Sequence, residues 1–120
     1  MRQSSAQHDP MTRVLDSTLA GTWYPATADE LRSLITSQLN AGPASGEAAP
    51  PNALILPHAG YAYSLRTALA GIRLILGAPF DRVVLLAPSH RVAMRNQFVA
   101  PRADAVSTPF GTTPVDHPTV

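Results

Sequence analysis

The stretch Ala53-Leu54-Ile55-Leu56-Pro57-His58-Ala59-Gly60-Tyr61 is a short apolar run that ends at a proline followed by a histidine. A second run of the same kind, Val83-Val84-Leu85-Leu86-Ala87-Pro88-Ser89-His90, follows further along the chain. Such runs of Val, Ile and Leu are typical of strands that are buried on both faces. Between them, residues 62–77 have the apolar spacing of a helix. The order strand, helix, strand predicts a parallel crossover unit.

The two histidines are the centre of this prediction. Adjacent parallel strands lie about 4.8 Å apart, so His58 and His90 are expected at one carboxyl edge of the sheet, where open α/β sheets usually bind ligands. Two neutral imidazoles in this position can be ligands of a divalent transition metal ion. The spacing alone leaves two interpretations open: a shared metal site, or two structural histidines at strand ends.

The amino-terminal part of the chain predicts one further helix. Thr27 and Glu30 form a capping box, and the apolar residues Leu31, Leu34, Ile35 and Leu39 follow at helical spacing. This helix is expected to end between Asn40 and Gly42, and residues 41–52 are expected to form a surface loop because they are rich in Pro, Gly and Ser. We expect residues 1–18 to be disordered or extended and residues 19–120 to belong to a single α/β domain.

The rest of the chain has a weaker pattern. The central helix is expected to bury one apolar stripe, to expose its arginines to solvent and to stop at Gly77. The stripe consists of Leu65, Ala68, Leu69, Ile72, Ile75 and Leu76, and the arginines are Arg66 and Arg73. After His90 we predict a short strand at 97–100, a turn at 107–111 and the start of another strand at 114–116.

The composition excludes several classes of function. A net charge of +1 gives no reason to expect a nucleic acid or an anionic membrane as a partner. The absence of cysteine excludes disulfides and thiolate ligands within these 120 residues. No apolar run reaches the roughly 18 residues that span a bilayer, and the first ten residues have no signal-peptide pattern. We therefore expect a cytoplasmic protein.

Several other residues are candidates for a ligand pocket. Trp23 and Tyr24 are either a core anchor over a sheet edge or one wall of a pocket. Gly60 and Ala59, beside His58, leave room for a ligand to approach the backbone, and Tyr61 is a further pocket candidate. Ser89 precedes His90, but neighbouring residues on an extended loop point apart and no G-x-S-x-G turn is present, so a Ser-His hydrolase is not favoured.

Two further positions have weak signals. Ser64 has no evident acidic partner for a role in hydrolysis. The pair Asp116-His117 is either a solvated turn or an additional metal ligand. No catalytic residue is assigned from the sequence.

Five segments occur together in an order and spacing that resemble one known family. They are Ala20-Gly21-Thr22-Trp23-Tyr24-Pro25, Pro57-His58-Ala59-Gly60-Tyr61-Ala62-Tyr63-Ser64, Ala87-Pro88-Ser89-His90, Thr108-Pro109-Phe110-Gly111 and Val115-Asp116. The family is Memo, also called AmmeMemoRadiSam system protein B. The resemblance extends from about residue 19 to residue 116. Two departures are Leu65 and Ala87, at positions where the family usually has Gly.

This resemblance implies more than the spacing does. It implies an α/β fold similar to that of the class III extradiol (LigB-like) ring-cleavage dioxygenases, truncated here, with a mononuclear iron or copper site. His58 and His90 correspond to the first two metal ligands, and the third is a cysteine expected beyond Val120. The chain therefore resembles an amino-terminal fragment. The implied partners are an unknown small molecule or peptide and, within the same system, a radical-SAM protein and an AMMECR-type protein.

Three hypotheses follow for function. The first is a metal-dependent oxidoreductase that acts through His58 and His90, with the isolated fragment inactive. The second is a non-catalytic interaction or signalling protein that uses the same pocket to bind a peptide or another partner. The third is a partial gene product without an independent function. In each case an incomplete sheet is expected to associate through exposed apolar strands.

Overall fold

The computed structural model describes residues 13–42 and 49–116. They form a small α/β arrangement of two helices and a three-stranded mixed sheet. The elements are β1 (Val14–Leu15), α1 (Ala28–Asn40), α2 (Tyr61–Ile72), a 3-10 turn (Arg73–Ile75), β2 (Ala105–Thr108) and β3 (Gly111–Pro114). The predictions for residues 1–12 and for residues 43–48 of the loop lie outside the described residues.

Helix α1 confirms the predicted capping signal. Thr27 is the N-cap, and its hydroxyl accepts a hydrogen bond from the Glu30 amide at 3.4 Å and donates one to the Glu30 carboxylate at 2.7 Å. These bonds satisfy a backbone donor that the first turn of a helix leaves unpaired. The helix ends at Asn40, within the predicted limits.

Helices α1 and α2 pack against each other and form the core. Leu31 of α1 and Leu65 and Leu69 of α2 are buried, as the helical spacing predicts. The predicted stripe is incomplete at its end, because Leu76 is exposed. The helical segment stops near the predicted residue, Gly77, which has a φ of 78°.

The prediction that Arg73 lies on a solvated face is wrong. Its guanidinium donates to the Leu39 carbonyl at 2.8 and 3.2 Å and to the Gln38 carbonyl at 2.5 Å. The last carbonyls of a helix have no partner within the helix, and a cation is favourable there. Arg73 therefore joins the end of α2 to the end of α1, whereas Arg66 is exposed as expected.

The sheet is built from residues other than the predicted central strands. Strand β1 pairs in parallel with β2, with Val14 opposite Ala105, and β2 pairs antiparallel with β3. The predicted mostly parallel sheet is therefore mixed in the described part. The turn predicted at 107–111 is confirmed as the hairpin between β2 and β3, but β3 begins at Gly111 rather than at Pro114.

The two apolar runs that predicted buried strands lie outside this sheet. Ile55 is fully exposed, and Val83 to Leu86 are between 70% and 88% exposed. The segment 97–100, predicted as a strand, is also irregular and exposed. A strand forms only where another strand pairs with its backbone, and the described residues provide no such partner for these segments. The predicted crossover sheet is thus not formed by the described residues.

In the described ranges, none of the helices has both the length and the apolar character needed to cross a membrane.

Candidate functional site

The structure brings His58 and His90 together. Their Nε2 atoms are 3.2 Å apart, and their ring centroids are separated by 5.3 Å with an interplanar angle of 31°. His58 lies in the loop before α2, and His90 lies in a bend after the exposed apolar run from Val83 to Leu86. Both residues are exposed. The repeated sequence pattern therefore correctly indicated proximity, although neither histidine follows a strand of the sheet.

The loop that contains His58 is held by a buried hydroxyl group. Ser64, which is only 5% exposed, donates to the Ala59 carbonyl at 2.7 Å and to the Gly60 carbonyl at 3.3 Å. The Tyr61 amide donates to the Trp23 carbonyl at 2.8 Å. The backbone directly after His58 is thus tied to α2 and to the loop of residues 20–24, here called the Trp23 loop.

The bend that contains His90 is held by its neighbour Ser89. The Ser89 hydroxyl donates to the Val92 carbonyl at 2.7 Å and accepts from the Val92 amide at 3.2 Å. These local bonds make Ser89 a turn residue. They give a structural reason for Ser89 next to His90 that does not involve hydrolysis.

An open cleft of about 540 Å³ lies beside His58. Its walls include the aromatic residues Trp23, Tyr24 and Tyr61, together with aliphatic residues of α1, of α2, of the first apolar run and of two positions outside these segments, 19 and 76. The aliphatic residues are Leu19, Ile35, Leu39, Leu56, Leu65, Ala68, Leu69, Ile72 and Leu76. The cleft is mostly apolar with a few polar groups, as is common in small-molecule sites.

A second cleft, of about 650 Å³, is lined in part by the same three aromatic residues. Trp23 lines both clefts and is 46% exposed. The interpretation of Trp23 as a core anchor is therefore wrong, because this residue forms a pocket wall.

A glycine is not sterically required at position 60, because a Cβ atom there would meet the Trp23 carbonyl oxygen at an ordinary distance of 3.6 Å.

The two tyrosines in the wall have different hydrogen-bonding states. The Tyr24 and Tyr61 rings are in contact, with centroids 5.4 Å apart and an interplanar angle of 38°. The Tyr24 hydroxyl is hydrogen-bonded to the Ser17 hydroxyl. Burial, and to a smaller extent the neighbouring Tyr24, raise the pKa of the Tyr61 phenol above its ordinary value. The Tyr61 phenol is therefore neutral at physiological pH.

The histidine pair fits part of a metal site. Two nitrogens that are each about 2.1 Å from one ion lie about 3.0 Å apart at a right angle and about 3.4 Å apart at a tetrahedral angle. The observed 3.2 Å falls between these two separations. Within the described ranges, however, no group of three or more His, Cys, Asp or Glu side chains is assembled.

Of the other suggested pair, Asp116-His117, the described residue Asp116 does not join the two histidines. The Asp116 carboxylate forms an ion pair with Arg82 at 2.5 Å, and His117 lies outside the described residues. In the part of the chain that the structure describes, the two histidines therefore stand without a third His, Cys, Asp or Glu side chain beside them.

Sequence reasoning missed two features of the site. From the sequence, only a hydrolytic role was considered for Ser64. A serine in the first turn of a helix can, however, donate a hydrogen bond to a carbonyl group of the preceding loop. Ser17 had no signal, because its contact with Tyr24 depends on how the Trp23 loop folds.

The fold and the histidine pair define a small α/β protein with two imidazoles beside an apolar cleft. The family described as Memo-like protein matches residues 16–120, and the chain belongs to this family. It is 40% identical to the memo-1 homologue of Caenorhabditis elegans over 82% of the chain, 36% identical to a MEMO1 family protein of Aquifex aeolicus over 87%, and 33% identical to one of Saccharomyces cerevisiae over 83%.

These alignments cover only part of each relative. The chain spans 27%, 37% and 30% of the lengths of the C. elegans, A. aeolicus and S. cerevisiae proteins, respectively. No solved structure matches the chain.

Proposed function

We propose that this chain contributes two ligands, His58 and His90, to the iron or copper site of a metal-dependent oxidoreductase. The observation that supports the proposal most directly is the 3.2 Å separation of the two Nε2 atoms. The proposal includes the finer fold assignment, a LigB-like extradiol dioxygenase architecture for the complete site. It also includes a third ligand supplied by residues outside this chain.

The described residues have distinct roles in this proposal. His58 and His90 hold the ion, while Ser64 fixes the backbone that follows His58. The apolar cleft binds the substrate and keeps part of its surface away from water. An iron or copper ion held by His58, His90 and one further ligand would supply redox chemistry beside the cleft.

A simpler explanation of the pair is a hydrogen bond between two neutral rings. One imidazole can donate and the other can accept, and 3.2 Å is within the range for such a bond. Metal binding distinguishes the two explanations, because a hydrogen-bonded pair needs no ion.

Copper(II) titration of the chain, followed by the absorbance of the bound ion, tests the proposal. We expect His58→Ala and His90→Ala each to weaken binding by about tenfold or more, equivalent to at least about 1.4 kcal/mol. His8→Ala and His117→Ala are the matched controls and should leave the affinity unchanged. Equal affinity in His58→Ala and in the unchanged chain would show that the pair is not a metal site.

A second candidate function is the binding of a peptide or another partner without catalysis. The exposed aromatic side chains Trp23 and Tyr63 favour it, because both line the second cleft and aromatic residues are enriched at interfaces. A Trp23→Ala variant that keeps copper but loses a captured partner would support this function. A Trp23→Ala variant that keeps both copper and the captured partner would count against this second function.

A further inference from the structure

Tyr61 occupies a fixed position in the wall of the cleft beside His58. It is the first residue of α2 and lines the cleft beside His58 as well as the second cleft. Its amide is bonded to the Trp23 carbonyl, and its ring lies against the Tyr24 ring. Both the backbone and the ring of Tyr61 are therefore held in place before any ligand arrives.

The hydroxyl of Tyr61 is uncommitted, in contrast to its neighbours. No hydrogen bond to it is formed by the residues that the structure describes, whereas the Tyr24 hydroxyl is bonded to Ser17 and the Ser64 hydroxyl to Ala59. The raised pKa of the Tyr61 phenol keeps its proton in place at physiological pH. Tyr61 thus provides a neutral hydrogen-bond donor in a mostly apolar cleft.

We propose that the Tyr61 hydroxyl donates a hydrogen bond to an acceptor oxygen of the ligand, and that the ligand is a compact apolar or aromatic molecule carrying a carbonyl or similar oxygen. Three observations carry this inference: the fixed ring, the uncommitted hydroxyl and the aliphatic lining of the cleft. The inference rests on the proposed function only for the placement of the ligand beside His58. Tyr61 is a specificity-determining residue in this proposal.

A pair of nearly isosteric probes isolates the hydrogen bond. Acetophenone carries a carbonyl oxygen, and α-methylstyrene has a CH₂ group in its place. Each probe is titrated into the chain in the presence of a chelator, and binding is followed by amide chemical shifts in NMR spectra. The chelator removes any contribution from a metal ion, so this experiment can fail while the copper titration succeeds, and the reverse.

In the Tyr61→Phe variant, which keeps the ring against Tyr24, acetophenone should bind about three- to tenfold more weakly, as expected for the loss of one neutral hydrogen bond. Binding of α-methylstyrene should not change. Tyr63→Phe is the matched control, because Tyr63 lines the second cleft and not the one beside His58. Equal weakening of both probes, no weakening of acetophenone, or the absence of binding by either probe would overturn the inference.

Discussion

The helical region (residues 28–40 and 61–75) and residues 79–102 both contain closely spaced aliphatic side chains, yet the two regions have opposite environments. The first region folds into two packed helices with buried leucines. In the second region every residue is exposed and no regular element forms. A helix satisfies its backbone hydrogen bonds within one segment, whereas a strand needs a second segment. The comparison shows that apolar sequence alone does not produce burial, since the partner of the strand must also be present.

The largest expected effect on the free energy of unfolding comes from a substitution in the core of the helical region. Leu65→Ala removes a buried side chain between the helices and should lower the free energy of unfolding by about 2–5 kcal/mol. The control is Leu85→Ala in the exposed region, where we expect a change within about 0.5 kcal/mol. Urea denaturation followed by circular dichroism measures both. Similar values for the two variants would show that residues 79–102 are buried in solution.

The next effect concerns the link between the two helices. Arg73→Met keeps the aliphatic part of the side chain but removes the bonds to Gln38 and Leu39. We expect a loss of about 1–2 kcal/mol, since the group is partly accessible to water. Arg66→Met, on the exposed side of the same helix, should change stability little. If the two variants are equally stable in urea, the link makes no net contribution.

A smaller effect on stability is expected at the start of α2 in the helical region. Ser64→Ala removes the bonds that hold the loop after His58 and should cost about 1 kcal/mol. Hydrogen exchange of the Tyr61 amide should become faster, because its loop is less restrained. Ser37→Ala is the control, since the exposed Ser37 hydroxyl makes a similar bond to the Leu34 carbonyl at 2.8 Å. Unchanged exchange at Tyr61 in the Ser64 variant would contradict the assigned role.

The smallest expected effect on stability belongs to a substitution that should change self-association. Leu85→Lys places a charge in the exposed apolar run and should change the free energy of unfolding by less than about 0.5 kcal/mol. It should reduce self-association, because exposed apolar segments with unpaired backbone invite pairing between chains. Sedimentation velocity, with Ser33→Lys as a control for added charge, measures this. If the unsubstituted chain sediments as a monomer, the expected association is wrong.

The sequence predicted the parts of the fold that depend on local interactions. The Thr27 cap, each of the two helices and the 107–111 turn depend on interactions between residues that are close in the sequence. The proximity of His58 and His90 was also predictable, because the same pattern precedes both. The sheet could not be predicted from local pattern, since β1 contains only Val14 and Leu15 and its partner is distant in sequence.

The same reason explains two side-chain positions that the sequence does not determine. Helical periodicity places Arg73 in solvent because it does not reveal that the end of another helix lies beside it. The size of Trp23 favours burial in a core, but its exposure depends on how the Trp23 loop folds against α2. Both positions depend on tertiary neighbours that a single sequence does not identify.

The pairing of β1 with β2 has a consequence for the order of folding. The Arg13 amide donates to the Asp104 carboxylate at 2.7 Å across a separation of 91 positions. Closing a flexible loop of this length costs about 4 kcal/mol of chain entropy. The β2–β3 hairpin and the helices require only short loops and can form first. The docking of β1 is therefore expected to be the last step of folding, and β1 should be the first element to detach when the chain begins to unfold.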